Sequence, residues 1–459
     1  MSAAPRASIA LDDARPIWRS MLVFLVPLML SNVLQSLGQT ANSIYLGRLV
    51  GVKSLAAVSA IFPIVFFLVS ALIGLATGSS VLIGQAFGAG DRERVKQIAG
   101  TSIALTLLLG VGLGTVGIVF ARELLALLGT PRDVIEISAS YARITFASLP
   151  LLFAYLVYTT FLRGTGDTRT PFFTLVASTV LTLVITPAFI LGWASLPKFG
   201  TDGAAIANAV STALTLGGLL AYLGVRRDAL ALDASLLRNV RLRGALVAAI
   251  ARIGIPTGIN LVMVSLSEIA LLWLVNRYGS SALAAYGAVN QVVSYVQFPA
   301  ISIGIAASIF GAQSIGAARA DRLPGIARSA VLLNYAIEGC LIAIVYVFAS
   351  AIIGLFVASP PTVVVARHLL SITLWSYALF GNARVLSAMM VSTGTVLWPT
   401  VISIASIWLV EVPVAVYLSQ HIGLDGVWYG YPAAFVAALT AQFAYYRFVW
   451  SKREHVRLA

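Results

Sequence analysis

Apolar runs of twenty residues or more, separated by short polar breaks, follow one another along nearly the whole chain. A hydrocarbon core about 30 Å thick is crossed by roughly 20 residues of α-helix, so the runs predict spanning helices. Counted on that template, six spans fit in the first half, at 18–45, 54–84, 95–120, 134–162, 171–193 and 203–223. Six more fit in the second, at 246–277, 282–312, 325–351, 364–392, 398–418 and 427–449. The longest polar break, VRRDALALDASLLRNVRLRG at 225–244, falls near the middle. It predicts a linker between an N-terminal lobe at 18–224 and a C-terminal lobe at 245–450, with short tails at 1–17 and 451–459.

The halves repeat each other. LAAVSA from Leu55 returns as LAAYGA from Leu283, 228 residues on. Gln85 and Gln313, Gly88 and Gly316, Arg94 and Arg322, Gly166 and Gly394, and Pro171 and Pro399 keep that offset. A register held over more than a hundred residues marks a duplicated unit. Because each unit has an even number of spans, both start on the same side and the repeats are parallel. The expected fold class is an all-α polytopic membrane protein with 12 transmembrane helices as two parallel six-helix repeats.

Composition agrees, with 59% hydrophobic and 10% charged residues, against about a quarter charged in soluble domains. The net charge of +13 does not point to nucleic acid, because basic residues concentrate beside the spans. Of those residues, 21 fall on the side of the termini and the linker and 6 on the other. The positive-inside rule then places both termini and the linker in the cytoplasm. The first apolar run exceeds the roughly 7–15 residues of a signal-peptide core and reads as an uncleaved span. Cys340 is the single cysteine, and His368, His421 and His455 are scattered, so neither a disulfide nor a metal site is expected. GLGTVG from Gly112 lies inside a span with no preceding strand, and no Walker loop occurs. No enzymatic activity and no cofactor are expected.

Polar residues inside spans need partners or a cavity. Asn32, Gln35 and Gln39 share one helical face, and Asn260, Asn290 and Gln291 lie in the seventh and eighth spans with Gln297. They are candidates for lining a substrate cavity, although interhelical hydrogen bonding serves equally well. Pro27 and Pro256 predict bends in spans one and seven. Glu268, Glu338 and Glu411 are intramembrane acids of the second half, where a charge costs at least about 2.5–3.5 kcal/mol. Arg384, beside Asn382 in the tenth span, is the expected ion partner of Glu268. Glu338 and Glu411 are expected against a polar neighbour or a lipid headgroup.

Two cytoplasmic loops carry phrases of their own. GQAFGAGDRERVK from Gly84 holds Gln85 and Gly88, and LRGTGDTRTP from Leu162 holds Arg163, Gly164, Gly166, Asp167 and Pro171. Small residues there allow close helix packing, and Pro171 suits the first turn of a helix. Together with the six-plus-six duplication, these phrases resemble the multidrug and toxic compound extrusion (MATE) family, over most of the chain from about Pro27 to Tyr446. The resemblance implies two lobes in a V around a central cavity that faces each side in turn. It also implies export of amphipathic, often cationic small molecules in exchange for H⁺ or Na⁺. Partners would be the substrate and membrane lipid, with a monomer expected.

The chain departs from the family pattern at its coupling positions. Asn42 in TANSIYLG stands where many members have an aspartate, Thr182 and Thr186 replace a polar Asn and Asp pair, and Asn382 stands where sodium-coupled members have an aspartate. Glu268 lies in the seventh span, as a family acid does, about one helical turn further on. The ion-coupling candidates are therefore Glu268, Asn382, Arg384 and Asn42. Two other readings stay open. A flippase of lipid-linked saccharides would need a cationic cavity, for which only Arg384 and Arg143 lie deep, and a non-transporting scaffold or receptor would not need matched bends in a duplicated fold.

Overall fold

A segment crossing lipid has no water to bond its N–H and C=O groups, and a helix satisfies them within itself. The computed structural model describes residues 15–193, 197–356 and 359–458, and among these every regular element is a helix. Arg6, Asp12 and Asp13 of the expected N-terminal tail lie outside the described residues. In the first half, the elements are α1 (Ile17–Tyr45), α2 (Val52–Gly88), α3 (Arg92–Val119), α4 (Ala121–Leu127), α5 (Ile135–Gly164), α6 (Arg169–Leu191), α7 (Thr201–Val225) and α8 (Ala234–Asn239). The second half has α9 (Gly244–Asn276), α10 (Ser280–Gly316), α11 (Leu323–Val347), α12 (Ala349–Gly354), α13 (Pro360–Thr373), α14 (Tyr377–Ser392), α15 (Leu397–Ala405), α16 (Val412–Ile422) and α17 (Leu424–Phe448). The tenth span is α13 and α14 joined by a 3₁₀ turn, and the eleventh is α15 and α16 joined by a π turn at Ser406–Glu411.

Among the described residues, eleven helices are long and apolar enough to cross a membrane. The twelfth, α17, has 25 residues and the length to span, but Asp425, Gln442, Arg447 and several tyrosines lower its hydropathy. Helix ends follow side-chain chemistry. Asp91 caps α3 by accepting from Arg94 N at 2.9 Å. Asp167 accepts from Thr170 N at 3.0 Å and Thr170 Oγ1 at 2.7 Å at the start of α6, where Pro171 fills a first-turn position whose N–H is unneeded.

The duplication is visible in the backbone. Gly51 and Gly279 have φ of 116° and 88°, Gly166 and Gly394 have 91° and 81°, and Gly90 and Ala318 have 73° and 57°. Phe120 and Phe348 share φ near −104° and ψ of 19° where a short helix follows each third span. Gln85 and Gln313 are both fully buried. One misfit is informative. Pro27 and Pro256 are 229 residues apart, whereas Gly51 and Gly279 are 228 apart, so the first copy holds one extra residue between them. It is absorbed at the end of α1, where Leu46–Val50 form a π turn. A π turn is what a single insertion into a helix produces.

The chain forms two compact units, one made of Leu30–Gly254 and the other of the described residues up to Met29 together with Ile255–Leu458. Their boundaries fall beside Pro27 in α1 and Pro256 in α9 rather than at 225–244. The linker belongs to the first unit, and contacts there explain why. Lys96 Nζ meets Asp233 Oδ2 at 2.7 Å, Asn239 Nδ2 donates to Glu93 Oε1 at 3.1 Å, and Leu230 and Leu236 are fully buried. The start of α9 is held by glycines. A Cβ on Gly78 would lie 2.5 Å from the Ile250 carbonyl oxygen, and one on Gly254 would lie 2.8 Å from Leu75 Cα. Without a hydrophobic drive between helices in lipid, such backbone contact supplies the packing energy.

Gly78→Ala and Gly254→Ala are each expected to cost about 1–3 kcal/mol by overpacking, read as a lower Tm of the purified chain. Gly217→Ala, with nothing within 4 Å of its Cβ position, should leave Tm unchanged or raise it. The linker contact should depend on pH. The Lys96 ammonium, and then the Leu236 N–H, hold the Asp233 carboxyl below its ordinary value of 3.8. A depressed folded pKa contributes stability above the unfolded value and loses it as pH falls through the folded one. Asp233→Asn should therefore speed proteolysis within 225–244 at pH 7, and the difference from the unsubstituted chain should disappear as pH falls below 3.8.

Candidate functional site

The unit containing Ile255–Leu458 holds the three intramembrane acids. Glu268, on α9, is partly buried and does not stand alone. Tyr286 of α10 and Tyr431 of α17 both donate to Glu268 Oε2, at 2.8 Å and 2.9 Å. Hydrogen bonds to an ionised group are the strong ones, worth about 1.5–3 kcal/mol each. The phenols sit in an aromatic frame. Trp428 lies 5.3 Å from the Tyr286 ring and stacks at 6.2 Å on Tyr431, and Phe435 links Tyr431 to Tyr377 at 6.1 Å and 5.1 Å. Spacings of three and four residues place Trp428, Tyr431 and Phe435 on one face of α17. The frame is continuous with a buried cluster that includes Leu271, Val289, Leu369 and Val427.

A second carboxylate lies close by. Glu411, 3% exposed at the end of the π turn, is near enough to feel the charge of Glu268. The π turn shifts the face that the eleventh span presents, and its carbonyl at Glu411 lies against Gly430 of α17. Asn290 faces the Tyr286 hydroxyl and Gln297 faces that of Tyr377, which extends the polar group along α10. Neither acid is ion-paired to a basic side chain among the described residues. Two carboxylates in one low-dielectric pocket favour uptake of a proton or a metal cation. Among the described residues, no group of three His, Cys, Asp or Glu side chains could hold a metal ion.

The expected Glu268–Arg384 pair does not form. Glu268 takes its partners from α10 and α17, while the Arg384 carbonyl lies 3.8 Å from the Cβ position of Gly304 on α10 and its guanidinium meets no acid among the described residues. Asn382 is 2% exposed and donates to the Ala378 carbonyl at 2.8 Å. Asn42 and the exposed Gln35 and Gln39 belong to the Leu30–Gly254 unit. Asn260 is buried with an amide nitrogen that has no acceptor, and Gln291 is partly exposed. Glu338 does sit against a polar neighbour, Asn334.

The loop phrases have structural work. Gln85 is buried, Gly88 ends α2, and Gly164 approaches the Ser80 carbonyl, which a Cβ would meet at 3.0 Å. Arg163 closes α5, Gly166 makes the left-handed turn, and Asp167 and Pro171 start α6. The tyrosines around Glu268 were not singled out from the sequence, because tyrosine in a membrane protein reads first as an interfacial anchor. The signal was their spacing, with Tyr286 one turn from Asn290.

Comparison with known proteins agrees with this architecture. The MatE family pattern matches residues 27–188 and 256–417, beginning at the proline of each copy. A probable multidrug resistance protein of Bacillus subtilis (strain 168), YoeA, is 52% identical over 444 residues, 96% of each chain. The probable multidrug resistance protein YpnP of the same strain is 28% identical over 430 residues, covering 94% of this chain and 95% of its own. Among solved structures, a variant of the Vibrio cholerae MATE transporter VcmN matches with a TM-score of 0.87 at 21% identity, covering 95% of this chain and 98% of that one, which shows the shared fold. Family members are transporters, and with its pattern matched in both copies this chain belongs to the MatE family of multidrug efflux transporters.

Proposed function

We propose that the chain is a secondary active transporter of a bacterial plasma membrane, with both termini cytoplasmic. It exports amphipathic or cationic small molecules by alternating access in exchange for H⁺ or Na⁺. The observation that carries the coupling role is Glu268, held through one oxygen by two phenols, beside Glu411, with no basic partner among the described residues. A carboxylate neutralised by a permanent cation could not exchange one. Here the counter-charge is missing, and a transported cation supplies it. The N-terminal candidates support the same assignment by subtraction, since Asn42, Thr182 and Thr186 cannot lose a proton at physiological pH. Asn290 and Gln297 adjoin the acid through Tyr286 and Tyr377, so a substrate contacting them would sense its state.

The test is efflux from proteoliposomes or cells under separately imposed proton and sodium gradients. Glu268→Gln is expected to abolish gradient-driven efflux while leaving expression and substrate binding largely intact, and the gradient that drives the unsubstituted chain names the ion. Normal transport by Glu268→Gln, with loss in Glu411→Gln instead, would move the coupling role to Glu411. Absence of gradient-driven efflux from the unsubstituted chain with any cationic dye would count against the exporter reading itself.

A further inference from the structure

α14 is an enclosed helix with one open stripe. From Ser376 to Val396 no residue is exposed, whereas α11 of the same unit exposes Leu332 and Tyr335 as a lipid-facing helix does. On one side of α14, Asn382, Val385, Leu386 and Met389 are buried. On the other, Phe380, Arg384, Ser387, Ala388 and Val391 recur at helical spacing and are all partly exposed. The same stripe is open in the first copy. There Leu152, Leu156, Thr160 and Arg163 of α5 stand 228 residues before Phe380, Arg384, Ala388 and Val391, and all four are partly exposed. A helix that shows no side to lipid yet keeps an unfilled stripe lines a gap within the protein.

Each stripe carries one arginine, at a different depth. Arg163 is in the last turn of α5, where a basic side chain complements the carbonyl end of the helix and its head can reach the interface. Arg384 has neither explanation. A Cβ on Gly311 would run into Ser392, and one on Gly304 would lie 3.8 Å from the Arg384 carbonyl oxygen, so Arg384 is level with Gly304. Gly304 is 12 residues before the end of α10 at Gly316, or about 18 Å along the helix, in a hydrocarbon core about 30 Å thick. That depth exceeds what an arginine stem spans by snorkelling. Among the described residues, neither the Arg384 guanidinium nor the Ser387 hydroxyl makes a hydrogen bond or an ion pair. Two acids of this unit are engaged elsewhere, Glu268 with Tyr286 and Tyr431 and Glu338 with Asn334. An unpaired charge at this depth is costly and marks a place where a partner binds.

We propose that Arg384, assisted by Ser387, binds the carboxylate or phosphate group of an amphipathic organic molecule that the protein exports. The guanidinium presents a fork of donors that engages either group through two parallel bonds, and its weak hydration makes it the cation least costly to hold in a narrow gap. Ser387, three residues on along the stripe, adds a hydroxyl donor. Phe380, one turn before Arg384, has ring contacts with Tyr377 at 6.2 Å and Phe435 at 5.1 Å and offers the apolar body of the ligand a surface. A cationic group is repelled at the same place, so the ligand of this stripe is an organic anion or a zwitterion. Its being a cargo rests on the exporter reading, while the anion site itself does not.

The test uses three probes with one aromatic body and different heads, namely naphthaleneacetate, its neutral amide and naphthylmethylammonium. Equilibrium dialysis against the purified full-length chain in phosphatidylcholine nanodiscs is expected to show saturable binding of the carboxylate, at least about tenfold tighter than the amide. Arg384→Gln should remove that preference while leaving amide binding unchanged, and Arg384→Lys, which keeps the charge without the fork, should fall between. Should Arg384→Gln fail to fold, Ser387→Asp sets an acid one turn from the arginine and is expected to abolish carboxylate binding. Equal affinity for carboxylate and amide, or undiminished carboxylate binding by folded Arg384→Gln or by Ser387→Asp, would overturn the proposal. Loss of the carboxylate site in phosphatidylglycerol nanodiscs would assign the arginine to a lipid phosphate and overturn it as well. Efflux from proteoliposomes separates the two readings, since Arg384→Gln should lose export of the carboxylate and retain that of the ammonium probe. Binding through Arg384 without export of any probe would sink the exporter reading and leave the anion site standing. Carboxylate export unaffected by Arg384→Gln would do the reverse.

Discussion

Hydrocarbon gives a polar group nothing to bond, and most of this structure follows from that fact. Backbone groups close on themselves in helices. Hydroxyls in the spans fold back onto the carbonyl one turn earlier, as Thr77 does on Ile73 at 2.8 Å and Thr115 on Val111 at 2.8 Å. Where Ser102 cannot do this alone, it meets Ser79 of α2 at 2.8 Å. Helices then touch through backbone at Gly78, Gly254 and Gly114, because in lipid close van der Waals approach is the main attraction available.

Much of the fold was legible because its signals are one-dimensional. Span length, the offset of 228, and the Asp–Pro start of α6 need only counting along the sequence, and the structure returns each of them in paired dihedrals and caps. The unit boundaries were less accessible. The polar stretch at 225–244 looks like a divider, but its leucines at 230 and 236 are buried and its polar groups grip α3. Polarity marks where a chain leaves the membrane, not where one compact unit ends. The change of unit instead coincides with prolines inside α1 and α9, where a lost backbone bond and a steric clash weaken helix continuity.

The candidate site was legible as a residue and not as an environment. Glu268 stood out as an acid in an apolar run, and Arg384 looked like its partner because opposite charges within a bilayer are expected to meet. Which side chains reach each other depends on helix rotation, which the sequence does not express. Rotation brings Tyr286 and Tyr431 to the carboxylate and gives Asn382 an internal acceptor at Ala378. A one-residue π turn is enough to change such a facing, and both π turns lie in spans that carry candidate residues, Asn42 just before Leu46–Val50 and Glu411 at the end of Ser406–Glu411.

The two copies share a backbone but divide the chemistry. With the extra residue of the first copy taken into account, the position of Glu268 corresponds to Gln39, and that of Tyr286 to Val58. Gln39 is exposed and its carbonyl accepts from Ser43 at 3.1 Å, so an amide stands where the second copy has a caged acid. Gly110 and Phe153 likewise give an apolar contact where Glu338 and Gly381 give a polar one. Intramembrane acids are costly, and placing Glu268, Glu338 and Glu411 in one copy concentrates that cost in the unit whose aromatic cluster and buried amides can hold them. The first copy has the neutral Gln39 and Gly110 at the positions of Glu268 and Glu338. Duplication thus supplies two equivalent frames, and substitution at a handful of positions places Glu268 and Glu338 in one of them where the other has Gln39 and Gly110.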